Sequence, residues 1–178
     1  MRAIATAIPG VSMIEMETPP QSDERGQFMR LFCEREMEAA GIAFHAVQTS
    51  LSRNIARGTL RGMHYQDISA PEPKLVRCIR GAIYDVALDM RSGSPAFGKW
   101  EAVELSAENN SALFIDAGIA HGFISLSNET EVLYHMAGFF APQHARIVRW
   151  NDPRFAIHWP MPPVVISPRD ASAPDFFP

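Results

Sequence analysis

Short runs of β-branched and aromatic residues, each ended by turn residues, recur along most of this 178-residue chain. The runs that predict strands are Lys74–Ile79, Ala82–Met90, Glu101–Leu105, Ala112–Ile115, Gly122–Leu126 and Glu131–Met136. The first two are joined tightly at Gly81, and the later ones follow at spacings of about ten residues. Many short strands with regular turns predict an all-β protein, either an antiparallel barrel or a sandwich.

Two segments depart from this pattern. Glu34–Ala40 consists of good helix formers and is followed by Gly41 at the position of a C-terminal cap, so it predicts a short helix. The last twenty residues, from Trp159 onward, are rich in proline and lack periodicity, which indicates an extended tail lying over the barrel. An aspartate in such a tail can reach a site from outside.

Composition narrows the class of protein. Hydrophobic residues make up 47% of the chain and charged residues 20%, as in a globular domain, and the 14 prolines and 11 glycines are not gathered into a linker. We therefore predict a single domain over residues 1–178. A net charge of -4 argues against a nucleic-acid-binding protein, and no apolar run approaches the roughly 20 residues of a membrane helix.

The cysteines and the first ten residues bear on the compartment. Cys33 and Cys78 lie in apolar settings without a metal-binding or redox spacing, so both are predicted to be reduced, packed side chains. Residues 1–10 match a secretion signal poorly. Together these features predict a cytoplasmic protein.

Two of the six histidines stand out by their neighbours. His64 lies in a strand-like segment, and His121 follows the turn glycine Gly118 by three residues. This is the layout of metal-binding cupin barrels, but a metal site needs a second histidine two residues after the first. Gln66 occupies that position, and Lys74 replaces the expected acidic ligand. Because an ammonium group repels a divalent cation, the sequence predicts an interior without a metal.

A polar interior with His, Lys, Arg and Tyr suits proton abstraction next to a carbonyl group. A neutral imidazole, with a pKa of about 6.5, is a general base near neutrality. Lys74 and Arg61 are suited to stabilise an enolate oxygen, and Tyr134 is suited to return a proton from the opposite face. These roles require that the side chains share one cavity, which spacing along the chain does not decide.

A series of ordered motifs resembles those of the dTDP-4-dehydrorhamnose 3,5-epimerase family, cupin-like enzymes of deoxysugar biosynthesis. The motifs are Asp23–Gly26, Leu60–Gln66, Lys74–Arg77, Arg80–Val86, Ser94–Gly98, Leu105–Asn109, Ala120–Phe123 and Arg149–Pro153. The resemblance extends from about Ile14 to Pro174. It implies a cupin-type antiparallel β-barrel or jelly roll with a few short helices, and no cofactor.

The resemblance also implies the catalytic residues. The family's base is the histidine of an Arg-Gly-x-His motif, which is His64 here, and its partner carboxylate is Asp170. A carboxylate bonded to one ring nitrogen fixes the tautomer and leaves the other nitrogen free. The family's strand tyrosine, the acid, corresponds to Tyr134, and its enolate-stabilising lysine corresponds to Lys74.

The resemblance implies a nucleotide-diphosphate sugar as the substrate. The substrate-binding positions are Arg25, Phe28, Gln48, Ser50, Arg61, His121 and Phe140. In the family, the loop bearing Arg25 reaches into the neighbouring subunit's site, which implies a homodimer with sites completed across the interface.

Three residues depart from the family's usual pattern. Arg30 replaces a glutamate near the nucleotide, Ser50 replaces an asparagine near the sugar or phosphate, and Phe140 replaces a second tyrosine. These changes leave open which nucleotide is bound and whether one carbon or two are inverted.

The sequence therefore predicts an epimerase that inverts C3, C5 or both of a nucleotide-linked 4-keto-6-deoxyhexose. The favoured reaction converts dTDP-4-dehydro-6-deoxyglucose to dTDP-4-dehydrorhamnose. One alternative is a single-site epimerase or a ketoisomerase acting on another nucleotide sugar, CDP- or GDP-linked. A metal-dependent cupin oxygenase or isomerase and a non-catalytic nucleotide-sugar-binding protein are further alternatives.

Overall fold

The structure, a computed structural model, describes residues 1–17 and 20–177. Residues 18, 19 and 178 of the predicted domain lie outside the described residues. No helix in the described part of the chain is long and apolar enough to cross a membrane.

The described residues form short strands, two short α-helices and one 3-10 turn. The strands are β1 (Arg2–Ala5), β2 (Val11–Glu15), β3 (Gln21–Asp23), β4 (Gly26–Phe28), β5 (Gln48–Asn54), β6 (Thr59–Gln66), β7 (Lys74–Arg80), β8 (Ala82–Asp89), β9 (Trp100–Ser106), β10 (Ala112–Ile115), β11 (Ile119–Ser125), β12 (Thr130–Met136), β13 (Ala145–Ile147) and β14 (Val165–Ile166). The helices are α1 (Glu34–Ala39) and α2 (Pro168–Ala171), and the 3-10 turn is Pro142–His144.

Two separately hydrogen-bonded sheets make up the body of the protein. The first sheet has the strand order β1-β2-β10-β7-β12-β5, and the second has the order β13-β6-β11-β8-β9, with β14 added to β6. All these pairs are antiparallel except β14 with β6, which is parallel. Strands β3 and β4 form a hairpin of their own. This is the predicted all-β jelly roll with a few short helices.

The predicted strands are all present, with ends that shift by no more than three residues. The tight connection at Gly81 joins β7 of the first sheet to β8 of the second, so the chain changes sheets there. Gly81 has φ +72°, and a Cβ at this position would lie 2.3 Å from Ser127 Oγ. Glycine is therefore required by both the backbone angle and the space available.

The two sheets enclose an apolar core, because alternate residues of each strand face inward. Val76 and Cys78 of β7 are buried in this core with Phe123 of β11 and Val132 of β12. Lys74 lies two residues before Val76 on the same face of β7. At this end of the core, polar side chains replace apolar ones and a cavity opens. The sandwich is thus packed at one end and open at the other.

The helix and the tail lie on the outside of the sheets. Helix α1 ends close to the predicted Gly41, which has φ +86°, and its Met37 is fully buried on the outer face of the first sheet. The tail runs back along the second sheet and pairs with β6 through β14. The predicted helix and overlying tail are confirmed. Cys33 and Cys78 are both free thiols.

Candidate active site

The open end of the sandwich is a cavity of about 510 Å³, a volume typical of small-molecule sites. It brings together six of the residues singled out in the sequence: Arg61, His64, Lys74, His121, Tyr134 and Asp170. These side chains come from both sheets and from the C-terminal tail. The condition that they share one cavity is therefore met.

A β-bulge in β6 explains how Arg61 and His64 reach the same cavity. Strict alternation would place residues three apart on opposite faces of a strand. His64 pairs with His121 and Arg61 pairs with Phe123, so three steps on β6 match two on β11. Gly62 lies in this bulge with φ +128°, and a Cβ there would be 2.5 Å from the Cα of Gly122. The extra residue re-aims the side chains, as bulges do beside active sites.

His64 and Asp170 form a hydrogen-bonded pair at the cavity wall. His64 Nε2 lies 2.7 Å from Asp170 Oδ1, and the Gly62 N–H donates to Asp170 Oδ2 over 3.3 Å. Asp170 is held by α2, whose capping residue Ser167 accepts the Asp170 N–H. The His64 side chain is 46% exposed and that of Asp170 only 6%. The carboxylate is thus fixed inside the protein, while the imidazole can meet a ligand through Nδ1.

A second His–Asp pair reaches the same cavity through His121 alone, since Asp85 is not one of the residues that line it. His121 Nε2 is 2.7 Å from Asp85 Oδ1, and both side chains are buried. Asp85 Oδ2 has no hydrogen-bond partner among the described residues. The ring of His121 also contacts Tyr134 edge-on, with ring centroids 5.8 Å apart. The pair therefore places a buried negative charge close to Tyr134.

The environment of Tyr134 favours its protonated form. Burial raises the pKa of Tyr134 well above its usual value, the charge of Asp85 raises it further, and the charge of Arg61 opposes them. Tyr134 is consequently a neutral phenol at physiological pH. Such a group can donate a proton into the cavity.

Lys74 brings a cation to the cavity and is paired with a residue outside the predicted set. Lys74 Nζ is 2.9 Å from Glu72 Oε2, and the two side chains are 10% and 12% exposed. Arg61 is held at the cavity edge, since its Nε donates to Asn54 Oδ1 over 2.8 Å. Arg169 also lines the cavity, which thus carries three positive side chains near the two His–Asp pairs.

The donor set does not fit a metal ion. Gln66 donates through Nε2 to the carbonyl oxygens of Ala70 and Phe139. Lys74 contributes an ammonium group instead of a carboxylate. Among residues 1–17 and 20–177, no group of three or more His, Cys, Asp or Glu side chains is placed to hold a metal.

Three of the predicted substrate-binding residues lie close to Tyr134 in the sheet or along the chain: Gln48 and Ser50 on β5, which pairs with β12, and Phe140 after the end of β12. Antiparallel pairing sets Ser50 directly opposite Tyr134, so the two side chains share a face. Gln48 lies two residues before Ser50, on the same face, and accepts a hydrogen bond from the Phe140 N–H over 2.9 Å. Phe140 lines a smaller cavity that shares His64 and Lys74 with the main one.

Arg25, Phe28 and Arg30 lie away from the cavity of their own chain. Arg25 and Phe28 belong to the exposed β3–β4 hairpin, where Arg25 pairs with Asp23. Arg30 pairs instead with Glu36 of α1. Within one chain these three residues therefore contribute nothing to the cavity.

Sequence reasoning missed three residues of the site. Asp85 is one of two acidic residues in β8, the other being Asp89 at the strand's end, and its position between Tyr84 and Val86 was its signal. Glu72 lies two residues before Lys74, the spacing that puts strand side chains on one face. Arg169 directly precedes Asp170 and lines both cavities, but nothing in its local sequence marks it.

Comparisons with known proteins identify relatives of the whole chain. The family model described as dTDP-4-dehydrorhamnose 3,5-epimerase matches residues 5–177. A dTDP-4-dehydrorhamnose 3,5-epimerase from Pseudomonas aeruginosa is 46% identical over 162 residues, which cover 90% of this chain and 87% of that protein.

Solved structures agree with these sequence matches. The dTDP-4-dehydrorhamnose 3,5-epimerase from Bacillus anthracis, with TDP and PPi bound, has a TM-score of 0.91 and 33% identity, covering 98% of this chain and 99% of that one. A 3′-monoepimerase from Streptomyces bikiniensis, in complex with dTDP-quinovose, has a TM-score of 0.87 and 35% identity, covering 98% and 87%. These similarities confirm the predicted cupin-type fold.

Proposed function

Because the chain belongs to the dTDP-4-dehydrorhamnose 3,5-epimerase family, it is an enzyme that epimerises a nucleotide sugar, and we propose that it inverts C3 and C5 of dTDP-4-dehydro-6-deoxyglucose. The product is dTDP-4-dehydrorhamnose. One observation carries the assignment of the active site: a single cavity holds His64, Lys74 and Tyr134, which are a base, a cation and an acid.

His64 is the general base. Its Nε2 is occupied by Asp170, so a neutral ring with the proton on Nε2 has its lone pair on Nδ1. This nitrogen takes the proton from the ring carbon next to the C4 keto group. Asp170 holds the tautomer and stabilises the imidazolium that forms.

Lys74 and Arg61 stabilise the enolate. When the C3–H bond breaks, its electrons form a C3–C4 double bond and negative charge develops on the C4 oxygen. The two cations line the cavity in which this oxygen lies, and their attraction grows as the charge develops. They therefore favour the transition state over the bound ketone.

Tyr134 is the general acid. Its hydroxyl gives a proton to the ring carbon from the face opposite His64, so the carbon is inverted and the C4 ketone is restored. Because its pKa is raised, Tyr134 is protonated when the enolate forms. Proton exchange with solvent then returns His64 and Tyr134 to their starting states, and the same steps at C5 complete the reaction.

The active enzyme is a homodimer. The β3–β4 hairpin carries Arg25 and Phe28 away from the body of its own subunit. In a dimer, this hairpin can supply a guanidinium for the diphosphate and an aromatic ring for the base of the neighbouring subunit's substrate. Mixing inactive His64→Ala and Arg25→Ala subunits tests the arrangement, because a mixed dimer regains one complete site.

Proton NMR in deuterated water tests the function. With dTDP-4-dehydro-6-deoxyglucose, we expect the signals of the hydrogens on C3 and C5 to disappear as rhamno-configured product forms. The corresponding CDP- and GDP-linked sugars, tested in the same way, show which nucleotide the enzyme accepts. Turnover of either one, with no exchange in the dTDP sugar, would contradict the proposed substrate.

The same experiment decides a second candidate, a single-site epimerase. Phe140 stands where the family usually has a tyrosine, and one similar structure is a 3′-monoepimerase. Exchange confined to one ring carbon would support this alternative.

A further inference from the structure

The loop of residues 137–141, which connects β12 to the 3-10 turn, is hydrogen-bonded to both sheets. The Ala137 N–H donates to Pro73 O over 2.9 Å. A Cβ at Gly138 would overlap Pro71 O, so the loop packs tightly against the segment before β7. Its position is therefore set by neighbours on several sides.

Gln66 makes the largest contribution to this anchoring. Its Nε2 donates to Phe139 O over 3.3 Å and to Ala70 O over 3.0 Å, while its Oε1 accepts the Ala141 N–H over 2.5 Å. The Gln66 side chain is only 4% exposed, so all three bonds are shielded from water. Both ends of the amide are consequently used to hold backbone.

Gln48 holds the same loop from the first sheet. Its Oε1 accepts the Phe140 N–H over 2.9 Å. The two glutamines thus bind Phe139, Phe140 and Ala141 in succession. We call Gln48 and Gln66 the glutamine clamp.

The clamped loop carries two exposed aromatic rings. Phe139 and Phe140 are 71% and 62% exposed, although their backbone is firmly held. Phe140 lines a side cavity of about 140 Å³ that shares His64 and Lys74 with the main cavity. An ordered apolar ring beside a catalytic base offers a surface to an apolar part of the ligand. In a 6-deoxyhexose, the C6 methyl group is such a part.

We propose that the glutamine clamp positions the Phe139–Phe140 backbone and thereby sets how the pyranose lies against His64. The clamp then controls which of the two carbons, C3 or C5, is presented to the base. In this assignment, Gln48 affects the pose of the substrate through the loop, by way of its hydrogen bond to the Phe140 N–H. The inference rests on the proposed function, because it concerns the pose of that substrate in that site.

Gln66→Met tests the inference, since methionine keeps the length of the side chain and removes the two hydrogen bonds that Nε2 donates and the one that Oε1 accepts. We measure deuterium incorporation at C3 and at C5 separately, with dTDP-4-dehydro-6-deoxyglucose, and determine KM and kcat. Loss of buried hydrogen bonds predicts a change of about fivefold or more in the ratio of the two exchange rates, with a raised KM. Gln143→Met, an exposed glutamine on the adjoining 3-10 turn, is the matched control and should leave the ratio unchanged.

Double variants separate positioning from direct contact. If the clamp acts through the Phe140 ring, Gln66→Met and Gln48→Met each add little to Phe140→Ala. A Gln48→Met effect that persists in full in the Phe140→Ala background would show that Gln48 contacts the substrate.

The inference fails if folded Gln66→Met and Gln48→Met both exchange C3 and C5 in the wild-type ratio. Gln48→Met removes a single hydrogen bond and carries the test alone if Gln66→Met does not fold. The wild-type measurement is independent of these variants. Failure of the proposed function would show there as absence of exchange at both carbons.

Discussion

The two His–Asp pairs of the cavity have the same hydrogen bond and different surroundings. In each, Nε2 of the histidine lies 2.7 Å from Oδ1 of the aspartate. The His64 side chain is 46% exposed, whereas His121 is 6% exposed. The hydrogen bond alone therefore does not define the role of a pair. In the proposed mechanism, access to the ligand distinguishes the base, His64, from His121, which stays within the cavity wall.

The two aspartates also differ in how their carboxylate oxygens are hydrogen-bonded. Asp170 Oδ2 accepts a backbone N–H from Gly62, while Asp85 Oδ2 has no partner among the described residues. A buried oxygen without a hydrogen bond is costly. Burial is the main cause of the raised pKa of Tyr134, and the Asp85 charge raises it further. In the proposed mechanism, the exposed pair thus serves proton removal, and the buried pair helps to keep Tyr134 protonated.

The largest expected effect tests the exposed pair. His64→Ala removes the base, so exchange at C3 and C5 should fall by about 10³- to 10⁴-fold. His45→Ala is the matched control, because His45 is a surface histidine that also pairs with an acidic residue, Glu34. Proton NMR in deuterated water measures both. If His64→Ala exchanged the hydrogens on C3 and C5 at the wild-type rate, the proposed difference in role between the two pairs would be wrong.

Tyr134→Phe should separate proton removal from inversion. Without the hydroxyl, inversion should fall by about 10²- to 10³-fold, because no acid remains on the opposite face. His64 still removes a proton and returns a deuteron to the same face, so exchange without inversion should continue. Chromatography of the product and NMR of the recovered substrate report the two processes. Equal loss of both would show that Tyr134 acts before the proton is removed.

The sequence predicted the exposed pair better than the buried one. His64 lies in the Leu60–Gln66 motif, the family resemblance implied Asp170 as its partner, and the proline-rich tail indicated how an aspartate so far along the chain could reach the site. Asp85 meets His121 only through the pairing of β8 with β11, which local patterns do not contain. The bulge that turns Arg61 towards His64 is likewise a property of the paired strands. Short strands were predictable because alternation is local, whereas register depends on residues distant in sequence.

Asparagine substitutions compare the two carboxylates directly. Asp170→Asn should lower exchange by about 10- to 10²-fold, because an amide fixes the His64 tautomer less well and does not stabilise imidazolium. Asp85→Asn should lower exchange less than tenfold, since His64 keeps its partner. Initial exchange rates measured under identical conditions decide between them. The proposed difference between the two carboxylates is wrong if Asp85→Asn impairs proton removal as strongly as Asp170→Asn.

The smallest expected effect concerns stability at alkaline pH. The folded protein raises the pKa of Tyr134 above its unfolded value of about 10, so this stabilisation is complete below pH ~10 and is lost as the pH rises further. Removing one such group should reduce the slope of unfolding free energy against pH by up to about 1.4 kcal/mol per pH unit. Tyr134→Phe should therefore lose stability less steeply than the wild type in urea titrations above pH ~10.

Asp85→Asn makes this measurement specific for the buried pair. Burial also raises the pKa of Tyr65, Tyr84 and, to about 11, of Cys78, and these groups act in the same direction in every variant. Removing the Asp85 charge lowers the pKa of Tyr134 towards its ordinary value. The loss of folding stability that Tyr134 causes at alkaline pH should therefore end at a lower pH than in the wild type. A curve for Asp85→Asn with the same shape as the wild-type curve would mean that burial alone sets the state of Tyr134. The buried pair would then lack the electrostatic role that distinguishes it from His64 and Asp170.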